Sequence, residues 1–182
     1  MTDRLVLLDR DGVINYDSVD YIKSADEWQP IPGSIEAIAL LHTHGFKICV
    51  ATNQAGIGRG KLTEQDLAGI HEKMTETVTA AGGHITHIEY CPHLPSDHCA
   101  CRKPEPGMLH AIGRSLGIEV AGKHFVGDSL KDIRAARAAG CQPVLVLTGN
   151  GLETSRLHHD GIQVYDNLLS FAQDITRPGS RP

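Results

Sequence analysis

Two aspartates stand two residues apart in the stretch LVLLDRDGVINY, which spans residues 5 to 16. They follow a short apolar run. Alternate residues of an extended chain point to the same side, so the carboxylates of Asp9 and Asp11 can face one site. Gly12 lets the backbone turn sharply just after them. Taken alone, this pattern fits a divalent metal site, an acid/base pair, or a strand that ends in a polar turn.

Reactive side chains also follow later apolar segments: Thr52 and Asn53 in CVATNQAG, Arg102 and Lys103 in CRKP, and Asp128 in VGDSLKD. A hydroxyl and backbone N–H groups in a glycine-containing turn can hold phosphate oxygens, although such a turn is more often only a cap. A lysine can balance the charge of carboxylates and phosphate, and a cation opposes the dipole at a helix N-terminus, which disfavours a purely structural pair. Because such groups follow several predicted strands, one shared Mg²⁺ site is favoured over several unrelated turns.

The densest pattern of metal ligands is CPHLPSDHCAC, residues 91 to 101. Cys91, His93, Cys99 and Cys101 supply three thiolates and one imidazole, which is the ligand set of a closed tetrahedral zinc site. His98 is a rival nitrogen ligand, but its adjacency to Cys99 makes simultaneous coordination awkward. Because protein would occupy all four positions, we expect Zn²⁺ to be structural and to order the loop that leads into CRKP.

Composition excludes several classes of protein. The formal net charge of −5 argues against general nucleic-acid binding, because no basic surplus exists to neutralise phosphates. Neither a signal peptide nor a run of about 18 apolar residues is present, so we expect no membrane partner and a cytoplasmic location. The odd count of five cysteines fits a reducing compartment and metal binding better than a disulfide framework. We expect a monomer.

Short apolar runs alternate with amphipathic segments, which predicts a doubly wound α/β fold with a mainly parallel sheet. Near-continuous apolarity in several runs indicates strands that are buried on both faces. In such sheets, ligands collect outside the carboxyl ends of the strands. The predicted strands lie at 4–8, 46–52, 84–90, 124–127 and 143–147, and the predicted helices at 33–44, 63–81, 105–116 and 130–139.

The length of 182 residues suits a single α/β domain, which we predict over residues 1–175, with the zinc loop 91–103 inserted and a frayed tail over 176–182. Segments 12–32 and 91–104 lack regular periodicity, and loops of that length are often functional. The stretch GIGRG superficially resembles a dinucleotide fingerprint, but its G-x-G-x-G spacing is wrong, so NAD binding is rejected.

The motifs LLDRDG, ATNQ, CRKP and VGDSLKD, in this order on an α/β chain, resemble the four motifs of the haloacid dehalogenase superfamily of phosphatases. The resemblance covers roughly residues 4 to 172 and implies a Rossmann-like fold without a large cap domain. The inserted zinc loop narrows it to the group that contains heptose bisphosphate phosphatases and histidinol-phosphate phosphatases. DRDGVIN, TNQAGIGRG and CRKPEPGM look most like the heptose enzymes.

The resemblance implies a role for each motif residue. Asp9 would be the nucleophile that carries an aspartyl-phosphate, and Asp11 the general acid and base. Mg²⁺ would be held by the carboxylates of Asp9 and Asp128 and by the backbone carbonyl of Asp11. Thr52 and Lys103 would hold the transferring phosphoryl oxygens, where positioning and charge neutralisation supply most of the catalysis.

Further expectations concern the residues around this centre. Asp132, the trailing acid of the fourth motif, is expected to support the site without touching substrate. Arg102 could pair with a second phosphate or with hydroxyls. The residues expected to contact substrate are Asn53, Gln54 and Arg102, together with Asp17, Ser18 and Asp20 of the loop 17–28.

The resemblance implies Mg²⁺-dependent hydrolysis of a small phosphorylated sugar, with heptose bisphosphate losing its 7-phosphate. Histidinol phosphate is the alternative substrate, because histidinol-phosphate phosphatases share every catalytic motif. A zinc-stabilised binding module is the non-enzymatic alternative, but it would have no need of the nucleophile, acid/base, threonine, lysine and metal acid together.

Overall fold

The computed structural model of the chain describes residues 4–157 and 161–179. Its strands are β1 (Leu5–Leu8), β2 (Lys47–Asn53), β3 (His87–Cys91), β4 (His124–Gly127), β5 (Gln142–Val146) and β6 (Gln163–Tyr165). Its helices are α1 (Ser34–Thr43), α2 (Ala55–Gly58), α3 (Glu64–Ala80), α4 (Gly107–Leu116), α5 (Leu130–Ala138), α6 (Gly151–Leu157) and α7 (Leu168–Ile175). The strands form one parallel sheet in the order β3-β2-β1-β4-β5-β6.

Alternating side chains of the strands feed two hydrophobic cores. In β1, Val6 and Leu8 belong to the core that α1, α3 and α7 cover. Leu5 and Leu7 belong to the opposite core, which α4 and α5 cover. Because both faces of the sheet are buried, its central strands need apolar residues at nearly every position, and this produces the continuous apolar runs of the sequence.

The strand order opens a crevice beside β1. From β1 the chain passes outward to β2 and β3, and then returns to β4 on the other side of β1. The connections after β1 and β4 therefore leave in opposite directions, and ligands of open α/β sheets bind at such a switch point. Asp9 directly follows β1 and Asp128 directly follows β4, so the two acids stand at this crevice.

The structure confirms the predicted doubly wound α/β class and the parallel sheet. Each predicted strand and helix matches an observed one, and its first and last residues lie within three positions of the observed ends. The irregular segments 12–32 and 91–104 are mainly loop, with one 3-10 turn in each, at Ala25–Glu27 and Pro95–Asp97. In the described ranges, the connection between β1 and α1 holds nothing larger than the first of these turns, so no large cap domain is inserted there.

Four elements were not predicted from the sequence: β6, α2, α6 and α7. β6 has three residues at the edge of the sheet, too few to show an alternating pattern. α7 did carry a signal, because its buried residues Leu168, Phe171 and Ala172 have helical spacing and Asn167 caps its first turn. Of the predicted frayed tail, residues 180–182 lie outside the described residues. No helix in the described ranges has the length and apolar character needed to cross a bilayer.

Candidate active site

Lys103 lies at the centre of a buried group of acids. Its Nζ is 2.7 Å from Asp9 Oδ1 and 2.8 Å from Asp132 Oδ1, and it donates to the carbonyl oxygen of Ala51 at 2.9 Å. The other oxygen of Asp132 accepts from the backbone N–H and hydroxyl of Ser129 at 3.0 and 2.6 Å, which caps α5. Only 2% of the lysine side chain is exposed. The ammonium group is therefore fixed at the floor of the crevice.

Asp128 completes this group. One carboxylate oxygen from each of Asp9, Asp128 and Asp132 lies within 4.8 Å of the others. Asp128 Oδ2 also accepts from the backbone N–H of Asn150 at 2.8 Å and from its side-chain amide at 3.2 Å. The loop after β5 thus fixes the acid that follows β4.

Two glycines make room for the Asp128 carboxylate. Gly12 has φ +82° and Gly149 has φ +57°, and a Cβ at either position would overlap Asp128 Oδ2. Positive φ disfavours every residue with a Cβ in any case. The turn that the sequence predicts at Gly12 therefore also lets the backbone after β1 approach the acid after β4.

The acid group carries more negative charge than Lys103 neutralises. Burial, followed by the charge of Asp132, raises the pKa of Asp9 well above its ordinary value, although Lys103 opposes the shift. Burial and Asp132 likewise raise the pKa of Asp128 to about 6. Burial alone would raise the pKa of Asp132 and lower that of Lys103, but their mutual attraction lowers the first and raises the second. Three carboxylates and one ammonium leave two negative charges, which fits a divalent cation with oxygen ligands.

The second aspartate of the first motif has different partners. Arg10 contacts Asp11 Oδ1 through Nε at 3.0 Å and through Nη2 at 2.9 Å, and its Nη2 donates to Oδ2 at 3.2 Å. Asn15 Nδ2 donates to Oδ1 at 2.9 Å, and Gln54 Nε2 donates to Oδ2 at 3.0 Å. Asp9 thus lies among acids and a lysine, whereas Asp11 is held by N–H donors.

The end of β2 is tied to the loop that carries Lys103. Asn53 Nδ2 donates to the carbonyl oxygen of Lys103 at 3.1 Å, and the backbone N–H of Lys103 donates to Asn53 Oδ1 at 3.0 Å. Gln54 Nε2 also donates to Thr52 Oγ1 at 2.8 Å, so one amide joins Thr52 to Asp11. These bonds hold the motifs ATNQ, CRKP and LLDRDG against one another at the crevice.

The predicted zinc ligands are gathered in one place. The Sγ atoms of Cys91, Cys99 and Cys101 are 3.2 to 3.6 Å apart, and His93 Nδ1 is 3.5 Å from Cys91 and 3.3 Å from Cys101. These spacings approach the edges of a tetrahedron with bonds of about 2.3 Å to a central ion. Among the described residues, the rival His98 is not part of the group. Four soft donors in this arrangement suit zinc.

The cysteine and histidine group connects with the crevice. Cys91 is the last residue of β3 and pairs with Asn53 of β2, and its carbonyl oxygen accepts from the backbone N–H of Gln54 at 2.7 Å. Arg102 Nη1 donates to the carbonyl oxygen of His93 at 3.1 Å. The loop therefore reaches the crevice through both of its ends.

A cleft of about 270 Å³ lies over the acids and Lys103. Most of the predicted site residues line it: Asp9, Asp11, Asp17, Ser18, Thr52, Asn53, Gln54, Arg102, Lys103, Asp128 and Asp132. Asp20 does not line it, because its exposed side chain turns to Lys23 at 3.2 Å and Lys61 at 3.5 Å. The cleft is also lined by two cationic residues that were not predicted, Arg59 and Lys131. They lie within the stretches GIGRG and VGDSLKD, but the sequence did not show that their side chains reach the cleft.

The fold and the site define a class of hydrolase that works at the switch point of a parallel sheet with clustered carboxylates and a buried lysine. A model of the HAD-hydrolase-like family matches residues 100–171. D-glycero-β-D-manno-heptose-1,7-bisphosphate 7-phosphatase of Pseudomonas aeruginosa is 51% identical over 176 residues, which is 96% of this chain and 99% of that protein. The enzyme of the same name from Neisseria meningitidis is 46% identical and covers 98% of both chains.

A solved structure extends this likeness to three dimensions. The D,D-heptose 1,7-bisphosphate phosphatase of B. bronchiseptica, complexed with magnesium and phosphate, aligns with a TM-score of 0.91 and 45% identity. The alignment covers 94% of this chain and 97% of that one. The chain belongs to the haloacid dehalogenase (HAD)-like family of hydrolases.

Proposed function

We propose that this protein is a phosphatase that removes the 7-phosphate of D-glycero-β-D-manno-heptose 1,7-bisphosphate. The observation that carries the proposal is the buried cluster in which Lys103 meets Asp9 and Asp132, with Asp128 beside them. The names of relatives 46% and 51% identical over almost the whole chain support the substrate and its β anomer.

Asp9 is the nucleophile of the proposed reaction. Its Oδ1 accepts from Lys103 Nζ and from the backbone N–H of Arg10, each at 2.7 Å, so the carboxylate has one fixed orientation at the cleft. It attacks the phosphorus of the 7-phosphate, the bond to the sugar oxygen breaks, and Asp11 gives its proton to that oxygen. Asp11 then takes a proton from the water that hydrolyses the aspartyl-phosphate and frees Asp9.

Electrostatic stabilisation comes from Lys103, Thr52 and a divalent cation. Mg²⁺, held by the carboxylates of Asp9 and Asp128 and by the backbone carbonyl of Asp11, would supply positive charge for the transferring phosphoryl oxygens. Asp132 has both oxygens engaged, one by Lys103 and one by Ser129, so it orients the lysine instead of taking a ligand position.

The rim of the cleft fits the rest of the substrate. Arg102 and the basic residues Arg59 and Lys131 line the cleft around Lys103, and a second phosphate needs such a cation. Asp17 and Ser18 face the same space and offer polar groups to sugar hydroxyls. We therefore assign sugar contacts to Asp17 and Ser18. Asp20 and Asn53 have other partners in the structure, and their contacts with substrate stay predictions.

A phosphate-release assay tests the proposed function. Purified protein with Mg²⁺ is offered both anomers of the heptose bisphosphate and, for comparison, histidinol phosphate, and ³¹P NMR identifies the phosphate that remains. We expect the 1-phosphate as product and a kcat/KM at least about 100-fold lower for histidinol phosphate. Equal or faster turnover of histidinol phosphate would overturn the substrate assignment. Absence of Mg²⁺-dependent release from all three compounds would overturn the assignment as a phosphatase.

Mg²⁺ is expected to stabilise the protein more at about pH 7.5 than at about pH 5, because protons and metal compete for the same carboxylates. The folded-state pKa values of Asp9 and Asp128 are raised. Without metal, the contribution of these two acids to stability is therefore greatest below their ordinary pKa of 3.8 and falls as the pH rises. For Asp128, this fall is complete above its folded-state pKa of about 6. Mg²⁺ at 100 times its Kd would add about 2.7 kcal/mol, or roughly 5 to 10 °C for a chain of this size.

Thermal unfolding followed by fluorescence, with and without Mg²⁺ at both pH values, measures this effect. Na⁺ at matched ionic strength serves as the control for general screening. Equal shifts at the two pH values, or no shift with Mg²⁺, would count against a metal site built from these carboxylates.

Replacement of Cys99 by Ser is expected to lower stability and activity together. The loss of one ligand opens the tetrahedral site, and structural zinc contributes directly to folding energy. Since the loop that the metal orders carries Lys103 into the crevice, we expect at least a tenfold loss of phosphate release, which is about 1.4 kcal/mol. The matched control is Cys141→Ala, which lies outside the group and should keep its zinc.

Zinc content by mass spectrometry, unfolding temperature and kcat are measured on the same preparations. Full activity in zinc-free Cys99→Ser protein would show that the loop does not need the metal to place Lys103.

A further inference from the structure

Arg10 is a buried arginine between the two aspartates of the first motif, and no step of the proposed reaction uses its side chain. Only 1% of its side chain is exposed. Nε and Nη2 contact the carboxylate of Asp11, and Nη1 lies 3.2 Å from His71 Nε2. All three guanidinium nitrogens therefore have a partner.

His71 holds the far side of the guanidinium. It lies in the middle of α3, and its ring makes an edge contact with Tyr90 of β3, with ring centroids 6.3 Å apart. Burial, followed by the positive charge of Arg10, lowers the pKa of His71 to about 3. The ring is therefore neutral, and its Nε2 accepts a hydrogen bond from Arg10 Nη1.

We propose that Arg10, held in place by His71, is a positioning residue that sets the direction of the Asp11 carboxylate for proton transfer to the leaving sugar oxygen. This role rests on the proposed function, because it takes Asp11 as the general acid. General acid catalysis needs the proton donor within hydrogen-bond reach of the departing oxygen and correctly oriented. A planar guanidinium that contacts both carboxylate oxygens restricts rotation of the carboxylate in a way that a lysine ammonium cannot.

Other contacts complete the restraint on Asp11. Asn15 and Gln54 donate to the two carboxylate oxygens from other directions. Both amides are buried, and each makes one further hydrogen bond, Asn15 to the carbonyl oxygen of Tyr16 and Gln54 to Thr52 Oγ1. Arg10 differs from them because its guanidinium contacts both oxygens of the carboxylate and is held on its far side by His71.

The leaving group distinguishes positioning from a merely structural role. A sugar alkoxide must receive a proton as it departs, whereas p-nitrophenolate departs without one. The value of kcat/KM reports the steps up to the first irreversible one, here transfer of the phosphoryl group to Asp9, so it isolates proton donation from later hydrolysis of the aspartyl-phosphate. A structural defect would lower kcat/KM equally for both kinds of substrate.

The test compares Arg10→Lys, His71→Leu and His71→Gln, with a sugar phosphate and p-nitrophenyl phosphate as substrates. We expect Arg10→Lys to lower kcat/KM by about 100-fold for the sugar phosphate, the low end of general acid catalysis, and by less than about fivefold for p-nitrophenyl phosphate. His71→Leu should show a smaller loss with the same selectivity. His71→Gln, whose side-chain oxygen can accept from Nη1, should restore the activity. Arg4→Lys, an exposed arginine far from the cleft, is the matched control.

Equal losses on both substrates in folded Arg10→Lys protein would overturn the positioning role. If Arg10→Lys does not fold, the two His71 variants provide the test. An equal loss of kcat/KM for the sugar phosphate in His71→Leu and His71→Gln would also overturn the positioning role. Failure of the proposed function looks different: wild-type protein would then show no Mg²⁺-dependent phosphate release from either substrate, which would overturn both proposals.

Discussion

Replacement of Asp9 by Asn is expected to lower phosphate release from the heptose bisphosphate by at least about 10⁴-fold, while the fold stays intact. An amide cannot attack phosphorus, and Lys103 and Thr52 would still bind the phosphate without a nucleophile to receive it. The unfolding temperature should stay equal or rise. Burial and neighbouring acids raise the pKa of Asp9, so the folded state favours an uncharged group at this position. The Asn oxygen can still accept from Lys103.

The variant is compared with Asp26→Asn, which removes an exposed carboxylate from the 3-10 turn at Ala25–Glu27. Steady-state phosphate release, circular dichroism and thermal unfolding are measured for both. Asp26→Asn should match the wild type in all three. Turnover by Asp9→Asn within tenfold of the wild type would contradict the assignment of the nucleophile, and a loss of structure would contradict the account of its electrostatics.

Lys103→Met is expected to damage stability and activity together. The substitution leaves Asp9, Asp128 and Asp132 buried without their cation, and removal of one partner from a buried ion pair costs about 3 to 5 kcal/mol. Activity should fall at least about 10³-fold, because a fixed positive charge at the transferring phosphoryl group is lost.

The stability deficit of Lys103→Met should shrink as the pH falls. In the wild type, Lys103 lowers the pKa of Asp132, so this acid contributes stability above its ordinary pKa, and that stability is lost in acid. In the variant, burial would raise the pKa of every acid in the group, so protonation restores stability as the pH falls. Urea unfolding at about pH 7.5 and about pH 5 measures the difference.

Lys47→Met serves as the matched control, because Lys47 is exposed at the start of β2. It should unfold like the wild type at both pH values. A Lys103→Met protein as stable as the wild type near neutral pH would contradict the charge balance inferred for the acid group.

The sequence was sufficient to locate the centre of the site because two of its acids, Asp9 and Asp128, directly follow apolar strands. Residues at the carboxyl ends of neighbouring parallel strands must meet at one edge of the sheet, so Asp9, Thr52 and Asp128 could be placed together before any coordinates were known. The candidate metal ligands of the loop 91–103 were visible for a different reason: all four stand within eleven residues, so no folding argument was needed to bring them near each other.

Residues that depend on packing between distant elements escaped the sequence analysis. Arg10 and His71 are 61 positions apart, and only the seating of α3 against the sheet brings them into contact. A charged residue is expected at the surface, so nothing in the sequence indicated that Arg10 would be buried. For Asn53 the polar type was noted, but not that Lys103 would occupy both of its amide atoms.

The loop 17–28, which is predicted to contact substrate, holds further residues whose positions the sequence did not reveal. Asp17, Ser18 and Asp20 looked alike as polar residues of one irregular segment. The structure separates them, because Asp20 pairs with Lys23 and Lys61 outside the cleft whereas the other two line it. Side-chain direction in a loop follows from its turns, and these lack a periodic signature.

Asp128 reaches the crevice between Gly12 and Gly149, and the residues of the site differ in how far they tolerate substitution. Any side chain at either glycine would displace the acid, so neither position has room to vary. The loop at the mouth of the cleft is free by contrast, since Val19 is fully exposed and Tyr16 is more than half exposed. Adaptation to a new sugar phosphate would therefore accumulate in residues 16–20 and leave the chemical centre unaltered, so that one catalytic frame can serve many substrates.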